Sequence, residues 1–316
     1  MAECKIQVAA VVGPTASGKT ALSVNLCRAL DGEVVSCDSM QIYKDMDIAT
    51  AKPTPAEMGG IPHHLIGFVD TSEEFSVARY CEEAKKAIIS IHARGKMPVV
   101  VGGTGLYYSS LVDNIDFFHE ENDYVYREEL KKEATEKGAQ VLLDRLAEID
   151  PVGAEKLHVN DLNRIIRALE KYQVTGMTKT QSDEKSRGQP SPFEFRSICL
   201  SARDRQVLYD RINRRVDGMI EAGLVEEARR FFALPAGNTA VQAIGYKELK
   251  PFIDGEKSLD ECIETLKMQT RRYAKRQLTW FRRDERIKVI YIDDYSSVEE
   301  MTDAALEYLR NGGEHI

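Results

Sequence analysis

The sequence predicts an α/β protein: a parallel sheet core flanked by helices and interrupted by an inserted all-helical domain. Three observations carry this. In the first third of the chain, short apolar runs of strand length alternate with helical patterns. The first run, Ile6 to Val12, leads straight into Gly13-Pro14-Thr15-Ala16-Ser17-Gly18-Lys19-Thr20, which fits the phosphate-loop pattern G-x-x-x-x-G-K-[ST] at every constrained position. From about residue 117 to about residue 192 the chain is polar and helical, with no convincing strand, before the alternation resumes. The expected organisation is therefore a P-loop NTPase-like α/β core from residues 1–117 and 193–316, with a helical insertion at 118–192.

Each element follows in order. After the strand Ile6–Val12 and the phosphate loop, Ala21 to Leu30 reads as an amphipathic helix. The apolar run from Glu33 to Cys37 ends at Asp38-Ser39-Met40-Gln41, so polar groups arrive at the carboxyl end of a strand, where parallel sheets place ligands. Ser76 to Arg94 reads as a long helix with Val77, Tyr80, Cys81, Ala84, Ile88 and Ile91 on one face. Met97 to Val101 is a buried strand that empties into Gly102-Gly103-Thr104-Gly105. In the insertion, Tyr124–Lys137, Gln140–Glu148 and Asp161–Thr175 read as helices, the last with Asp161 as N-cap. Ser182 to Pro192 reads as a flexible return linker. The core resumes with a strand at Phe193–Leu200 and helices at Arg205–Ala222, Leu224–Ala233 and Leu259 to about Arg283. A strand at Ile287–Ile292 and a final helix follow.

Composition narrows the class. With 316 residues and 43% hydrophobic content the chain can bury a sizeable core. No apolar run approaches the ~20 residues that span a bilayer, so the expectation is a cytoplasmic protein with no membrane partner. Cys4, Cys27, Cys37, Cys81, Cys199 and Cys262 are scattered and read as free thiols. His63-His64 lacks a metal-spaced partner and reads as a packing or turn feature. The net charge of −8 speaks against a nucleic-acid partner until the positive charge is located. Lys267, Arg271, Arg272, Lys275, Arg276, Arg282, Arg283, Arg286 and Lys288 cluster near the end of the chain, against only Asp284 and Glu285. Tyr273, Trp280 and Phe281 are interleaved, a combination suited to a polyphosphate backbone with unstacked bases. A solvated helix making internal ion pairs is the competing account.

The phosphate loop presents successive backbone N–H groups and a helix N-terminus to an anion. Lys19 can reach phosphate oxygens, and Thr20 with Ser17 can hold magnesium. Asp38 reads either as a helix cap or magnesium carboxylate, or as a general base at the mouth of the site. The Gly102–Gly105 stretch is either a tight turn or a device that brings Thr104 onto the same anion. Arg211, Arg214 and Arg215 read first as a solvated helix face and second as a phosphate clamp. No convincing Walker B aspartate, switch motif or lid arginine cluster is present, so the site reads as built to hold phosphates rather than to hydrolyse a nucleotide. A P-loop small-molecule or nucleotide kinase and a non-catalytic RNA-binding P-loop protein are both compatible with these residues.

Over nearly its whole length the sequence resembles the tRNA dimethylallyltransferases, also called tRNA isopentenyltransferases. The resemblance rests on Gly13–Thr20, Asp38-Ser-Met-Gln-Ile-Tyr-Lys44 with Met46-Asp47, Thr50-Ala-Lys-Pro53, Pro62-His-His-Leu65 and Val101-Gly-Gly-Thr-Gly-Leu-Tyr107. It continues in Asn163-Arg-Ile-Ile-Arg-Ala-Leu-Glu170, Ala243-Ile-Gly-Tyr-Lys-Glu248 and Thr270-Arg-Arg-Tyr-Ala-Lys-Arg-Gln-Leu-Thr-Trp280. It implies transfer of a five-carbon prenyl group from dimethylallyl diphosphate to N6 of an adenosine beside the anticodon of tRNA, with Mg2+ as cofactor. It further implies that Gly13 to Thr20 cradle the diphosphate, that Asp38 is the base, and that Thr104 and Arg215 contact the diphosphate. Ser39, Met40 and Gln41 would hold the target adenosine. Asn163, Arg164 and Arg167, with Arg127, would contact the anticodon stem-loop from the insertion, and Arg272, Lys275 and Arg276 from the basic helix. The chain would be of the bacterial type, since the C-terminal zinc finger of eukaryotic members is absent, and the expectation for its oligomeric state is a monomer. Two departures are visible: Asn163 stands where many members have glutamine, and Ala49 replaces a usual glycine.

Overall fold

The computed structural model describes residues 5–115, 117, 123–186, 190–234, 237 and 239–311. The expected boundary at 118, the middle of the expected return linker (187–189) and Cys4 lie outside the described residues. The chain divides into two compact units, Met1–Val112 with Pro192–Ile316, and Asp113–Ser191.

The first unit begins with β1 (Ile6–Val12), α1 (Lys19–Leu30), β2 (Gly32–Ser36), α2 (Pro55–Met58), β3 (His63–His64), α3 (Val77–Ala93), β4 (Met97–Gly102) and α4 (Gly105–Val112). The second unit holds α5 (Tyr124–Lys137), α6 (Gln140–Ile149), α7 (Pro151–Glu155), α8 (Leu162–Thr175) and α9 (Lys179–Ser186). The first unit then resumes with β5 (Phe193–Ser201), α10 (Arg205–Glu221), α11 (Leu224–Phe232), α12 (Tyr246–Ile253), α13 (Leu259–Phe281), β6 (Ile287–Tyr291) and α14 (Val298–Asn311).

Among the described residues, the strands form one sheet in the order β3-β2-β4-β1-β5-β6, with every pairing parallel. The expected α/β class therefore holds. Helices on both faces bury the strands twice over, which is why β1 from Val8 onward and all of β2 are buried without alternation. Leu22 and Leu26 of α1, Val11, Val34, Val99, Ile198, Leu208, Ile212 and Ala305 fill one buried cluster. β2, β3 and β4 all lie on one side of β1, and the chain then crosses to the other side for β5 and β6. The crevice at this reversal, at the carboxyl ends of the strands, is where open α/β sheets bind ligands.

His63 and His64 form the short edge strand β3, paired with Val34 and Val35. His64 Nε2 lies 2.7 Å from Glu33, whose carboxylate also takes Arg94 at 2.5 Å. Burial pushes Glu33 up, but the hydrogen bonds from His64 and Arg94 outweigh it and hold the carboxyl below its ordinary value. The described cysteines, Cys27, Cys37, Cys81, Cys199 and Cys262, are free and buried. Among the described residues, no helix is long and apolar enough to cross a membrane.

The second unit packs Leu130, Leu142, Leu146, Ile165, Ile166 and Leu169 into its own core. Two details differ from expectation. Residues 182–186 are not linker but the end of α9. Thr178 and Gln181 exchange hydrogen bonds of 3.0 and 3.1 Å at its start, a capping arrangement, and Lys179 pairs with Asp183 one turn on. Asp161 does precede α8, but its carboxylate makes no cap bond there and instead accepts from His158 N at 3.1 Å.

Candidate active site

The site grows from the carboxyl ends of β1, β2 and β4. After β1, Gly13 has φ 139°, and a Cβ there would fall 2.5 Å from the Leu200 carbonyl oxygen, so only glycine lets the chain turn against β5. Ala16 also takes a left-handed φ of 63°, unusual for a residue with a Cβ. Ser17 Oγ donates to Pro14 O at 2.8 Å, and Lys19 Nζ donates to the same oxygen at 2.7 Å. Burial and then the nearby Arg215 guanidinium lower the Lys19 pKa to about 8, with Asp38 partly offsetting them.

After β2, Asp38 Oδ1 accepts from Met40 N at 2.9 Å and Gln41 N at 3.3 Å, which fixes the turn. The second carboxylate oxygen has no protein hydrogen-bond partner among the described residues. Gln41 Nε2 donates to Thr50 O at 3.2 Å and Ala51 O at 3.1 Å. Both neighbours are acceptors, so the amide nitrogen must face them. The Asp47–Ala49 backbone is held by the buried Glu227 carboxylate, which accepts N–H groups from Asp47, Ile48 and Ala49 at 2.8–3.0 Å and the Tyr246 hydroxyl at 2.9 Å. Ala49 faces Gly245, where a Cβ would lie 3.1 Å from the alanine methyl.

After β4, Thr104 Oγ1 accepts from Ser39 N at 3.0 Å and donates to Ser39 Oγ at 3.3 Å, while its own N–H donates to Cys37 O at 3.2 Å. The β2 and β4 loops are thus joined at Thr104. Helix α13 docks on the same loop. Gln277 Nε2 donates to Gly103 O at 2.9 Å, Gln277 Oε1 accepts from Thr15 N at 2.9 Å, and Tyr273 lines the cavity beside them. A Cβ on Gly105 would lie 2.4 Å from the Trp280 ring, whose Nε1 donates to Ser109 Oγ at 2.9 Å.

These loops and α10 enclose a cavity of about 850 Å³ lined by Thr15 to Thr20, Asp38 to Gln41, Arg211, Arg214, Arg215, Tyr273, Arg276 and Gln277, among others. Lys19, Asp38, Ser39, Met40, Gln41, Arg215 and Arg276 therefore share one cavity, with Thr104 joined by hydrogen bonds to Ser39 on its wall. Arg211, Arg214 and Arg215 all line the cavity, Arg211 and Arg215 half-buried and Arg214 exposed. Arg215 is the most enclosed; burial lowers its pKa, and it donates to Thr15 Oγ1 at 3.4 Å. The basic helix is mixed. Lys267 pairs with Asp217 and Arg271 bonds Asn213, whereas Arg272, Lys275 and Arg276 are exposed.

In the second unit, Asn163, Arg164 and Arg167 lie on exposed positions of α8. Arg127 is engaged internally: its guanidinium bonds the buried Glu170 carboxylate at 2.9 Å, and Arg167 approaches the same carboxylate at 3.4 Å. Gln277 was missed by sequence reasoning, and Tyr273 was read only as an aromatic interleaved with the basic cluster. Their i, i+4 spacing within an otherwise charged run was the available signal.

A family model described as IPP transferase matches residues 41–284, and one described as isopentenyl transferase matches residues 6–71. The chain belongs to the IPP transferase family. It is 48% identical over 307 residues to a tRNA dimethylallyltransferase of Caldanaerobacter subterraneus, covering 96% of this chain and 98% of that one. It is 49% identical over 279 residues to that of Halalkalibacterium halodurans, covering 88% of each. Among solved members of the family, the full-length tRNA isopentenylpyrophosphate transferase of Bacillus halodurans aligns with TM-score 0.71 at 44% identity, covering 97% of each chain. A eukaryotic dimethylallyltransferase acting on tRNA aligns with TM-score 0.79 at 32% identity, covering 95% of this chain and 78% of that one.

Proposed function

We propose that this chain transfers a dimethylallyl group from dimethylallyl diphosphate to N6 of an adenosine in tRNA and releases diphosphate. The finer reading places that adenosine 3′-adjacent to the anticodon, in tRNAs that read codons beginning with U. One observation carries the mechanism: a phosphate-binding loop and a carboxylate with one open oxygen face the same cavity. The diphosphate lies on the Gly13–Thr20 loop, where Lys19 and Arg215 neutralise the charge that grows as the C–O bond breaks. The N6 nitrogen forms the new C–N bond, and its proton passes to the open oxygen of Asp38. An aromatic exocyclic amine is a weak nucleophile, so holding it beside Asp38 with Ser39, Met40 and Gln41 matters as much as basicity. Thr104 keeps the bond it accepts from Ser39 N and turns its hydroxyl hydrogen from Ser39 Oγ to a phosphate oxygen.

Magnesium, when bound, adds positive charge to the departing diphosphate. The Ser17 and Thr20 hydroxyls on the cavity wall fit it. Among the described residues no cluster of three His, Cys, Asp or Glu is present, so a cation here takes its remaining ligands from phosphate and water, as magnesium does. The exposed Arg272, Lys275 and Arg276, and Asn163, Arg164 and Arg167, are the RNA contacts; Arg127 acts from within its pair with Glu170. The free thiols suit the cytoplasm.

The test supplies labelled dimethylallyl diphosphate with unmodified tRNA, then labelled ATP. Label in tRNA from the first is the expected result; transfer only from ATP would mean a kinase, and no transfer a binding protein. Asp38→Ala should lower transfer by about 100-fold or more while diphosphate still binds. Wild-type-like turnover in that variant would remove Asp38 from the mechanism.

A further inference from the structure

Gln277 is 5% exposed and its amide is used at both ends. The oxygen takes the N–H of Thr15 in the phosphate loop, and the nitrogen donates to the carbonyl of Gly103, next to Thr104. No other side chain among the described hydrogen bonds joins these two loops. Gly103 is shaped to this contact. Its φ is not left-handed, so the backbone does not demand glycine there. A Cβ would instead fall 2.2 Å from Gln277 Nε2 and 3.2 Å from Gly13 O. Glycine at this position thus makes room for the glutamine. One turn earlier on α13, Tyr273 lines the same cavity, and Lys275 and Arg276 are exposed between the two.

We propose that Gln277 is a positioning residue for prenyl transfer, a role that rests on the function proposed above. It sets the distance between the loop that holds the leaving diphosphate and the loop that carries Thr104 and, through Ser39, the Asp38 turn. Both ends of its amide are committed to the loops. Releasing it leaves each loop intact but lets the two drift, so the reacting nitrogen and carbon meet in poor geometry. Misplacement on the scale of 1 Å is enough to slow a reaction by about 100-fold.

The test is a size-swap cycle on the full chain: wild type, Q277A, G103A and Q277A/G103A. Turnover is measured with dimethylallyl diphosphate and an unmodified anticodon stem-loop RNA. Inorganic pyrophosphate binding is measured by calorimetry and folding by thermal melting. Q277A should lower kcat by about 10- to 100-fold while KM for RNA and pyrophosphate affinity change by less than about threefold. G103A should be at least as slow, because its methyl group collides with the Gln277 amide. With the amide removed, only the 3.2 Å contact to Gly13 O remains, which a shift of a few tenths of an ångström relieves. The double variant should therefore turn over within about threefold of Q277A. The proposal is overturned if G103A slows both backgrounds equally, or if Q277A stays within about twofold of wild type. Should G103A fail to fold, Q277E replaces it. That side chain has the same size but turns an acceptor toward Gly103 O, and should be no faster than Q277A. Wild-type turnover in Q277E overturns the proposal equally. Absence of prenyl transfer in the wild type itself would sink the functional reading instead, so the two failures are separable.

Discussion

Lys19 sits in the phosphate loop with its ammonium group turned back onto Pro14 O, and burial beside Arg215 brings its pKa to about 8. The ordinary value is 10.5, so between about 8 and 10.5 the folded chain holds fewer protons than the unfolded one. Folding therefore gains stability as pH rises through that window. Donor binding runs the opposite way, because the charge that attracts diphosphate is lost over the same range. kcat/KM for dimethylallyl diphosphate should fall as pH rises through about 8, and Lys19→Arg should move that limb out of reach. An unchanged limb in the variant would assign it to another group. At this scale Lys19, Asp38 and Thr104 were legible because each closes an apolar run in a recognisable pattern. Arg211 and Arg214 were not, because three arginines on one helix look the same in sequence whether they face water or an anion. Gln277 was hidden for a related reason: its partners are backbone atoms of loops more than 170 residues away, and backbone atoms leave no sequence signature.

Between elements, the carboxylate of Glu227 on α11 does the work of a cap for a segment that has no helix of its own. It gathers three N–H groups of the 47–49 segment, whose continuation supplies the carbonyls that orient Gln41. Glu227→Ala leaves those donors and the Tyr246 hydroxyl without their acceptor and should lower stability by about 3 kcal/mol in denaturant titration. It should also raise KM for tRNA more than KM for the prenyl donor. A variant as stable as wild type would show that water replaces the carboxylate without loss. The strands β1, β2, β4, β5 and β6 and the long helices were legible from period and apolarity. The two-residue β3 and the short α2, α7 and α12 were not, since pieces of that length are fixed by tertiary partners such as Glu33 for His64.

For the molecule as a whole, the relevant quantity is where charge lies, not its sum. A chain of net charge −8 carries exposed Arg272, Lys275, Arg276, Arg282 and Arg283 on and just beyond α13, close to the cavity. If Arg272, Lys275 and Arg276 each meet a phosphate, replacing all three by Ala should reduce the slope of log affinity for tRNA against log salt by about 2, at roughly 0.7 per single-strand contact. A slope unchanged from wild type would move the RNA off this face. The alternation of strands and helices and the long polar stretch made the architecture readable. Which cations face the RNA depends on partners such as Asp217 and Asn213, which pairing across the fold alone reveals.

The buried thiols acquire a meaning from the chemistry next to them. An allylic diphosphate is a carbon electrophile, and sulfur is a better nucleophile than the exocyclic amine of a purine. Cys37 directly precedes Asp38 and donates its S–H to Thr104 O at 3.8 Å, and Cys199 lies close enough to Lys19 to feel its charge. Burial pushes the Cys199 thiol up to about 12 and the Cys37 thiol higher still. Neither is ionised at neutral pH, and both lie behind the cavity wall. The enzyme is thereby guarded against alkylating itself with its own donor.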